Sequence, residues 1–244
     1  MIRALFTFVL AGFVVGGWAM HRANQRVSAA TAKERWIKFA TYFGIVNGVL
    51  LSALAGTVWF GGLLGVLYLM GAFELVRAYA TSSSRLSDRF VRALVFTAYL
   101  ALGWGLFLFT SRFDRETILF VYLVVAVFDA FSQLTGQLIG RRAIAPRVSP
   151  KKTLEGLIGG MAMAMLTASW MRSLAGLDWP HAFVAGLALS LASLVGDLAA
   201  SKVKRLRGLK DFGTVLPGHG GILDRFDSFF AAAPSYLLLS IWFG

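Results

Sequence analysis

Cysteine is absent from the 244 residues, which excludes disulfides, thiolate metal sites and cysteine nucleophiles. Charge is scarce: 15% of the residues are Asp, Glu, Lys or Arg, where soluble domains carry about a quarter. Acids are scarcer still, 12 against 24 basic residues. Only 3 histidines are present, and none is spaced to share a metal with His219. No internal repeat or low-complexity tract stands out, and no hydrophilic stretch is long enough for a separate soluble domain. What fills the chain instead is apolar: 57% hydrophobic residues and a mean hydropathy of +0.69. Disordered, fibrous and small secreted classes are thereby excluded, and a membrane protein is predicted.

A hydrocarbon core of about 30 Å takes roughly 20 apolar residues to cross as a helix. Eight runs meet that length, at about 2–20, 39–56, 58–76, 91–110, 117–139, 154–171, 182–200 and 226–243. The predicted fold is therefore all-α, a polytopic bundle of about eight transmembrane helices. The first run has one early cation, Arg3, and no small-x-small cleavage site after it, so it reads as a retained anchor. The division within 39–76 is the weakest; it falls at Phe60-Gly61-Gly62 or slightly before, and a re-entrant pair is the alternative there.

Eight spans place alternate loops on opposite sides, and the cations divide sharply between them. Twenty of the 24 Lys and Arg residues fall in 21–38, 77–92, 141–152 and 201–225, and four (Arg3, Arg112, Arg115, Arg172) fall on the other side. The net charge of +12 is thus a topological signal that gives nucleic-acid binding no support. It predicts both termini outside and the four basic loops in the cytoplasm. A natural division runs between N-terminal spans, 1–115, which face lipid and offer surface for a homodimer, and a C-terminal region, 116–244. The latter carries loops 141–152 and 201–225 and most of the ionisable residues of interest.

An ionised side chain at mid-bilayer costs at least about 2.5–3.5 kcal/mol, so acids inside spans are either used or paired. Asp129 sits within the fifth run beside Ser132 and Gln133, Glu155 opens the sixth, Asp197 is near the end of the seventh, and Asp227 begins the eighth. Glu155, four after Lys151, reads first as a helix-end residue that snorkels to water or pairs with a neighbouring base. If the seventh helix runs past the interface, Asp197, Ser201, Lys204 and Arg205 share one face. Asp224 and Asp227, three apart, point together at the next helix start. Three carboxylates without thiolates suit a hard cation such as Mg²⁺.

Pro217-Gly218-His219-Gly220-Gly221 is compatible with a tight turn and with a phosphate cradle; the acids and cations around it favour the cradle. In Ser149-Pro150-Lys151-Lys152-Thr153-Leu154-Glu155-Gly156, serine is expected to cap the sixth helix with proline at its first position. Lys151 and Lys152 would then occupy a first turn whose dipole disfavours them, which points to a bound anion.

The run Ser201-x2-Lys204-Arg205-x4-Lys210-Asp211-x-Gly213-x3-Pro217-x-His219-Gly220-Gly221-x2-Asp224-Arg225-x-Asp227 resembles the signature of the phosphatidate cytidylyltransferases. The 149–156 block, Gly140-Arg141 and Gly196-Asp197 resemble that family too, so the match covers roughly 125–230. The chain departs from many members at Gln133 and Leu154. The resemblance implies a Mg²⁺-dependent enzyme of the bacterial inner membrane that converts CTP and phosphatidic acid to CDP-diacylglycerol and pyrophosphate at a cytoplasmic site.

On that footing Asp197, Asp224 and Asp227 hold Mg²⁺, and Lys204, Arg205 and Lys210 neutralise phosphate. Ser149, Thr153, Glu155, Ser201, Asp211 and Arg225 belong to the substrate-binding blocks, and His219-Gly220-Gly221 forms the cradle. Lys151 and Lys152 contact either CTP or the lipid phosphate. Asp129 and Gln133 line an intramembrane wall past which lipid enters. Two alternatives stand beside this reading: a CTP-dependent transferase or kinase acting on another membrane lipid, and a cation-binding transporter.

Overall fold

The computed structural model describes residues 27–80, 86–218 and 220–243, with scattered positions between 7 and 25; His219 and most of the first apolar run lie outside the described residues. Among the described residues the chain is overwhelmingly helical. The long helices are α1 (Ala29–Ala55), α2 (Thr57–Ala80), α3 (Leu86–Arg112), α4 (Arg115–Ile139), α5 (Leu154–Met171), α6 (Trp179–Leu206) and α7 (Leu223–Trp242). Six helices, the segments of α1 to α6, are long and apolar enough to cross a membrane. The seventh has the length, but its first turns carry Asp224, Arg225 and Asp227.

The uncertain division within 39–76 falls at Gly56, whose φ of 124° ends α1 before α2 begins. That conformation is open to glycine and strained for other residues. Both helices have spanning length, in place of a re-entrant pair. The all-α architecture carries one small addition: between α4 and α5 the chain forms an antiparallel hairpin of β1 (Ala143–Ala145) and β2 (Ser149–Thr153).

The core centres on α4, where every residue from Thr117 to Val125 is buried, as is Phe128. α4 packs along α5, α5 along α6, and α6 along α7, which in turn touches α3 and α2. Close approach rests on small residues: α5 buries Gly156, Gly160, Ala164 and Ala168 at intervals of four. A side chain at Gly160 would begin 2.8 Å from the Phe128 carbonyl, the small-residue seam that lets transmembrane helices meet without a hydrophobic driving force. Between α2 and α3, Tyr68 and Tyr99 stack and each hydroxyl donates to the other's carbonyl at 2.8 Å. Both phenols are thereby satisfied without water.

The outer surface is apolar, with Val58, Leu69, Phe73, Leu138, Leu238 and Ile241 more than half exposed, as lipid contact requires. Tryptophans are unevenly placed. Trp59, Trp170, Trp179 and Trp242 stand on the helix ends away from the hairpin, Trp104 in the second half of α3, and all five are exposed. At that far end Arg115 donates to the Leu54 carbonyl at 3.4 Å, and His181 packs on Phe243.

Candidate active site

The hairpin decides how the lysine pair is used. The expected helix cap at Ser149 and Pro150 is not formed, because both lie in β2; the cap is Thr153, whose hydroxyl accepts from Gly156 N–H at 3.1 Å. Lys151 and Lys152 therefore stand on a strand, where successive side chains alternate. Lys151 is exposed, while Lys152 turns inward and pairs with the Asp197 carboxylate of α6. Glu155 does not pair with Lys151 either. Its carboxylate accepts from the backbone N–H groups of Arg141 and Arg142 at 2.9 and 3.2 Å, which fixes the chain where it leaves α4.

α6 does run on to Leu206, and it presents a polar face. The Ser201 hydroxyl donates to Asp197 Oδ1 at 3.2 Å, and Lys204 donates to Asp224 Oδ1 of α7 at 2.8 Å. The second pair is deeply buried, with side-chain exposures of 11% for Lys204 and 2% for Asp224. Asp224 Oδ2 also accepts from the N–H groups of Phe212 and Gly221 at 2.8 and 2.9 Å. Asp224 is thus the knot that closes the 207–222 loop onto the start of α7. Arg205, one residue beyond Lys204, stays exposed at the edge and donates to the carbonyls of Val148 and Leu209, both at 3.2 Å. It ties the hairpin turn to α6.

Two further carboxylates complete the cluster. Asp129 of α4 accepts from the Ser228 hydroxyl at 3.3 Å, and Asp227 of α7 accepts from Ser228 N–H at 2.8 Å. Asp227 lies within electrostatic reach of Asp197, Asp129 and Lys204, and Asp129 of Lys152 and Arg225. Four carboxylates and two lysines from α4, β2, α6 and α7 therefore converge at the hairpin end of the bundle.

Three sequence-selected residues stay at the surface beside this cluster: Gln133, Lys210 and Asp211 are exposed; Arg225 is exposed too, but within electrostatic reach of Asp129. In the turn, Gly218 and Gly220 have φ of 74° and 86°, and Leu216 N–H bonds the Gly220 carbonyl at 2.8 Å. This is a tight turn with the backbone conformation that a cradle needs.

Sequence reasoning passed over Glu74. It is 3% exposed on α2 and accepts from the N–H groups of Ile222 and Leu223 at 3.0 and 2.9 Å. The available signal was a lone acid in an apolar span; its partners lie 148 and 149 residues away. The N-terminal helices hold the loop elsewhere too. Thr41 of α1 donates to the Pro217 carbonyl at 3.1 Å, and Arg207 stacks 4.0 Å over the Tyr79 ring of α2. A groove of about 390 Å³ beside the loop is lined by Val66, Leu69, Met70, Phe73, Glu74 and Val215. Asp129 and Gln133 are not part of its wall.

Fold and site together define an integral membrane protein with a polar, mixed-charge centre at one end of an apolar bundle, suited to phosphate chemistry. The cytidylyltransferase family model matches residues 2–243. A phosphatidate cytidylyltransferase of Staphylococcus epidermidis is 34% identical over 215 residues, covering 84% of this chain and 82% of the relative. Proteins of the same name from Staphylococcus aureus and Staphylococcus haemolyticus are each 38% identical over 150 and 151 residues, 61% of this chain and 58% of theirs. The chain belongs to the cytidylyltransferase family, and it is a nucleotidyltransferase.

Proposed function

We propose that the protein forms CDP-diacylglycerol and pyrophosphate from CTP and phosphatidic acid, at a site facing the cytoplasm. The observation that carries this reading is the convergence of Asp129, Asp197, Asp224 and Asp227 with Lys152 and Lys204 inside an apolar bundle of this family. A lipid phosphate oxygen attacks the α-phosphorus of CTP; the new P–O bond forms as the bond to the β-phosphate oxygen breaks, and pyrophosphate leaves. The attacking oxygen is already ionised at neutral pH, so no strong base is required. The barrier is the approach of two polyanions and the charge on the departing group.

The donor set fits Mg²⁺. It is all oxygen, and the acids outnumber the lysines that reach them. Among the described residues no three acids or histidines are close enough to hold a metal by themselves. Water and substrate phosphates, which Mg²⁺ keeps in its shell, would complete the ligand set. Asp197, Asp224 and Asp227 would hold the ion. When bound, the ion supplies charge neutralisation at the α-phosphate and the leaving group.

The chain's own part is an exchange of partners. Lys152 and Lys204 are held against carboxylates before substrate arrives. An incoming triphosphate would compete for both ammonium groups, and the carboxylates so released would be available to hold the ion. Lysine suits this role as a compact charge on a flexible stem.

The test is purified protein with labelled CTP and a panel of lipid phosphates and lipid alcohols. Release of pyrophosphate together with a CDP-lipid from phosphatidic acid is expected. CDP together with a phospholipid would mean a kinase, and cation flux in liposomes without CTP would mean a transporter. Asp227→Asn is expected to lose turnover while remaining folded.

A further inference from the structure

Helix α7 carries Asp224 and Asp227, yet it begins without a cap of its own. Its N-cap position is Ile222, whose side chain bonds no backbone group. The first N–H groups of a helix need acceptors, and Ile222 and Leu223, each 5% exposed, are too buried for water to supply them. Glu74 supplies two from another helix. One carboxylate oxygen takes Ile222 N–H at 3.0 Å and the other takes Leu223 N–H at 2.9 Å. A negative group at this position also matches the positive end of the helix dipole.

Two glycines of the sequence run make sense only beside this carboxylate. A Cβ on Gly221 would stand 2.6 Å from Glu74 Cδ, and one on Gly213 would stand 2.9 Å from the same atom. The loop is thus moulded around Glu74 at both of its ends, and the next residue after the capped pair is Asp224.

We infer that Glu74 is a positioning residue for cytidylyl transfer: by capping α7 from α2 it fixes the 212–223 loop, and through it the placement of Asp224 against Lys204. The inference rests on the function proposed above. It assigns α2, outside the basic loops and their motifs, a part in aligning the reacting phosphates rather than in binding either substrate.

The experiment compares wild type, Glu74→Gln, Glu74→Asp, Gly221→Ala and Gly65→Ala in the full chain. Gly65 is on the same helix with nothing within 4 Å of an added Cβ. Glu74→Gln and Gly221→Ala should lower kcat roughly tenfold or more, since small misplacements of a reacting geometry cost on the order of 10²-fold. KM for CTP and for phosphatidic acid should stay within about threefold. Glu74→Asp, which keeps the charge, should recover part of the loss, and Gly65→Ala should behave as wild type.

Amide hydrogen exchange at Ile222 and Leu223 gives a readout independent of turnover, expected about tenfold faster in Glu74→Gln than in wild type. Unchanged exchange, wild-type kcat in Glu74→Gln, or a loss confined to KM would each overturn the inference. If wild type makes no CDP-lipid, the proposed function fails, while the exchange measurement still decides whether Glu74 holds the loop.

Discussion

Replacing Lys204 by methionine keeps the length of the side chain and removes its charge, which leaves Asp224 with two backbone N–H donors and no cation. Breaking a buried ion pair by removing one partner costs about 3–5 kcal/mol. Asp224 is 2% exposed but retains the N–H groups of Phe212 and Gly221, so the lower end, about 3 kcal/mol, is expected. Asp224→Asn keeps an acceptor for those two donors and turns an amide N–H toward the Lys204 ammonium, donor against donor. Because Lys204 is 11% exposed, that change is expected to cost about 2 kcal/mol. The double variant Lys204→Met/Asp224→Asn removes both charges and leaves one unsatisfied amide, at about 1–2 kcal/mol. The coupling between the two sites is then about 3–4 kcal/mol. For a chain of this size each kcal/mol moves the midpoint by roughly 2–4 °C. The double variant should therefore melt above Lys204→Met in thermal unfolding of the detergent-solubilised protein, although all three variants are inactive. If the two single effects add to within about 0.5 kcal/mol, Lys204 and Asp224 do not depend on each other and the reasoning is wrong.

Three further expectations follow from particular contacts. Lys152→Met should abolish turnover and weaken CTP binding in a filter assay, while Lys151→Met, on the outward side of the same strand, should keep most of its activity; equal effects would refute the alternation of the pair. Gly160→Val should cost about 1–3 kcal/mol by forcing α4 and α5 apart, whereas Gly62→Ala, with nothing within 4 Å of its Cβ, should leave the melting temperature unchanged or slightly raised. Asp178 caps α6, and the His181 N–H holds its carboxyl below the ordinary 3.8. Its contribution is present above that value and lost as pH falls through the lower folded one. The melting difference between wild type and Asp178→Ala should be full at about pH 6 and shrink as the pH falls below the ordinary carboxylate range; a difference independent of pH would exclude the ionised cap.

The long helices were legible because twenty consecutive apolar residues leave few alternatives, and the polar face of α6 because its spacing is local. The hairpin was not. Ser149-Pro150 has the composition of a helix cap, and only pairing with Ala143–Ala145 turns it into a strand. The pairing open to Glu155 is not formed, for a related reason. Its distance of four from Lys151 suggested a pair, but the carboxylate found unpaired N–H groups where the chain leaves α4. Glu74 lay deeper still, since nothing near it in sequence says that its partners begin at Ile222. Local periodicity reports which face of an element is apolar, but it does not report which distant backbone an isolated acid will meet.

The tryptophan distribution sets what light can report about this molecule. Trp59, Trp104, Trp170, Trp179 and Trp242 sit toward the far end, among lipid or water, so most of the intrinsic emission comes from the end opposite the hairpin and the carboxylate cluster. Trp18 and Trp36 are the exceptions: Trp18 lies under the Arg22 guanidinium, and Trp36 is on α1, five residues before the Thr41 hydroxyl that holds Pro217. A fluorescence change on adding nucleotide would therefore originate mainly in these two indoles above a constant background, and a protein retaining Trp36 with the other tryptophans replaced by phenylalanine would act as an optical gauge of the loop.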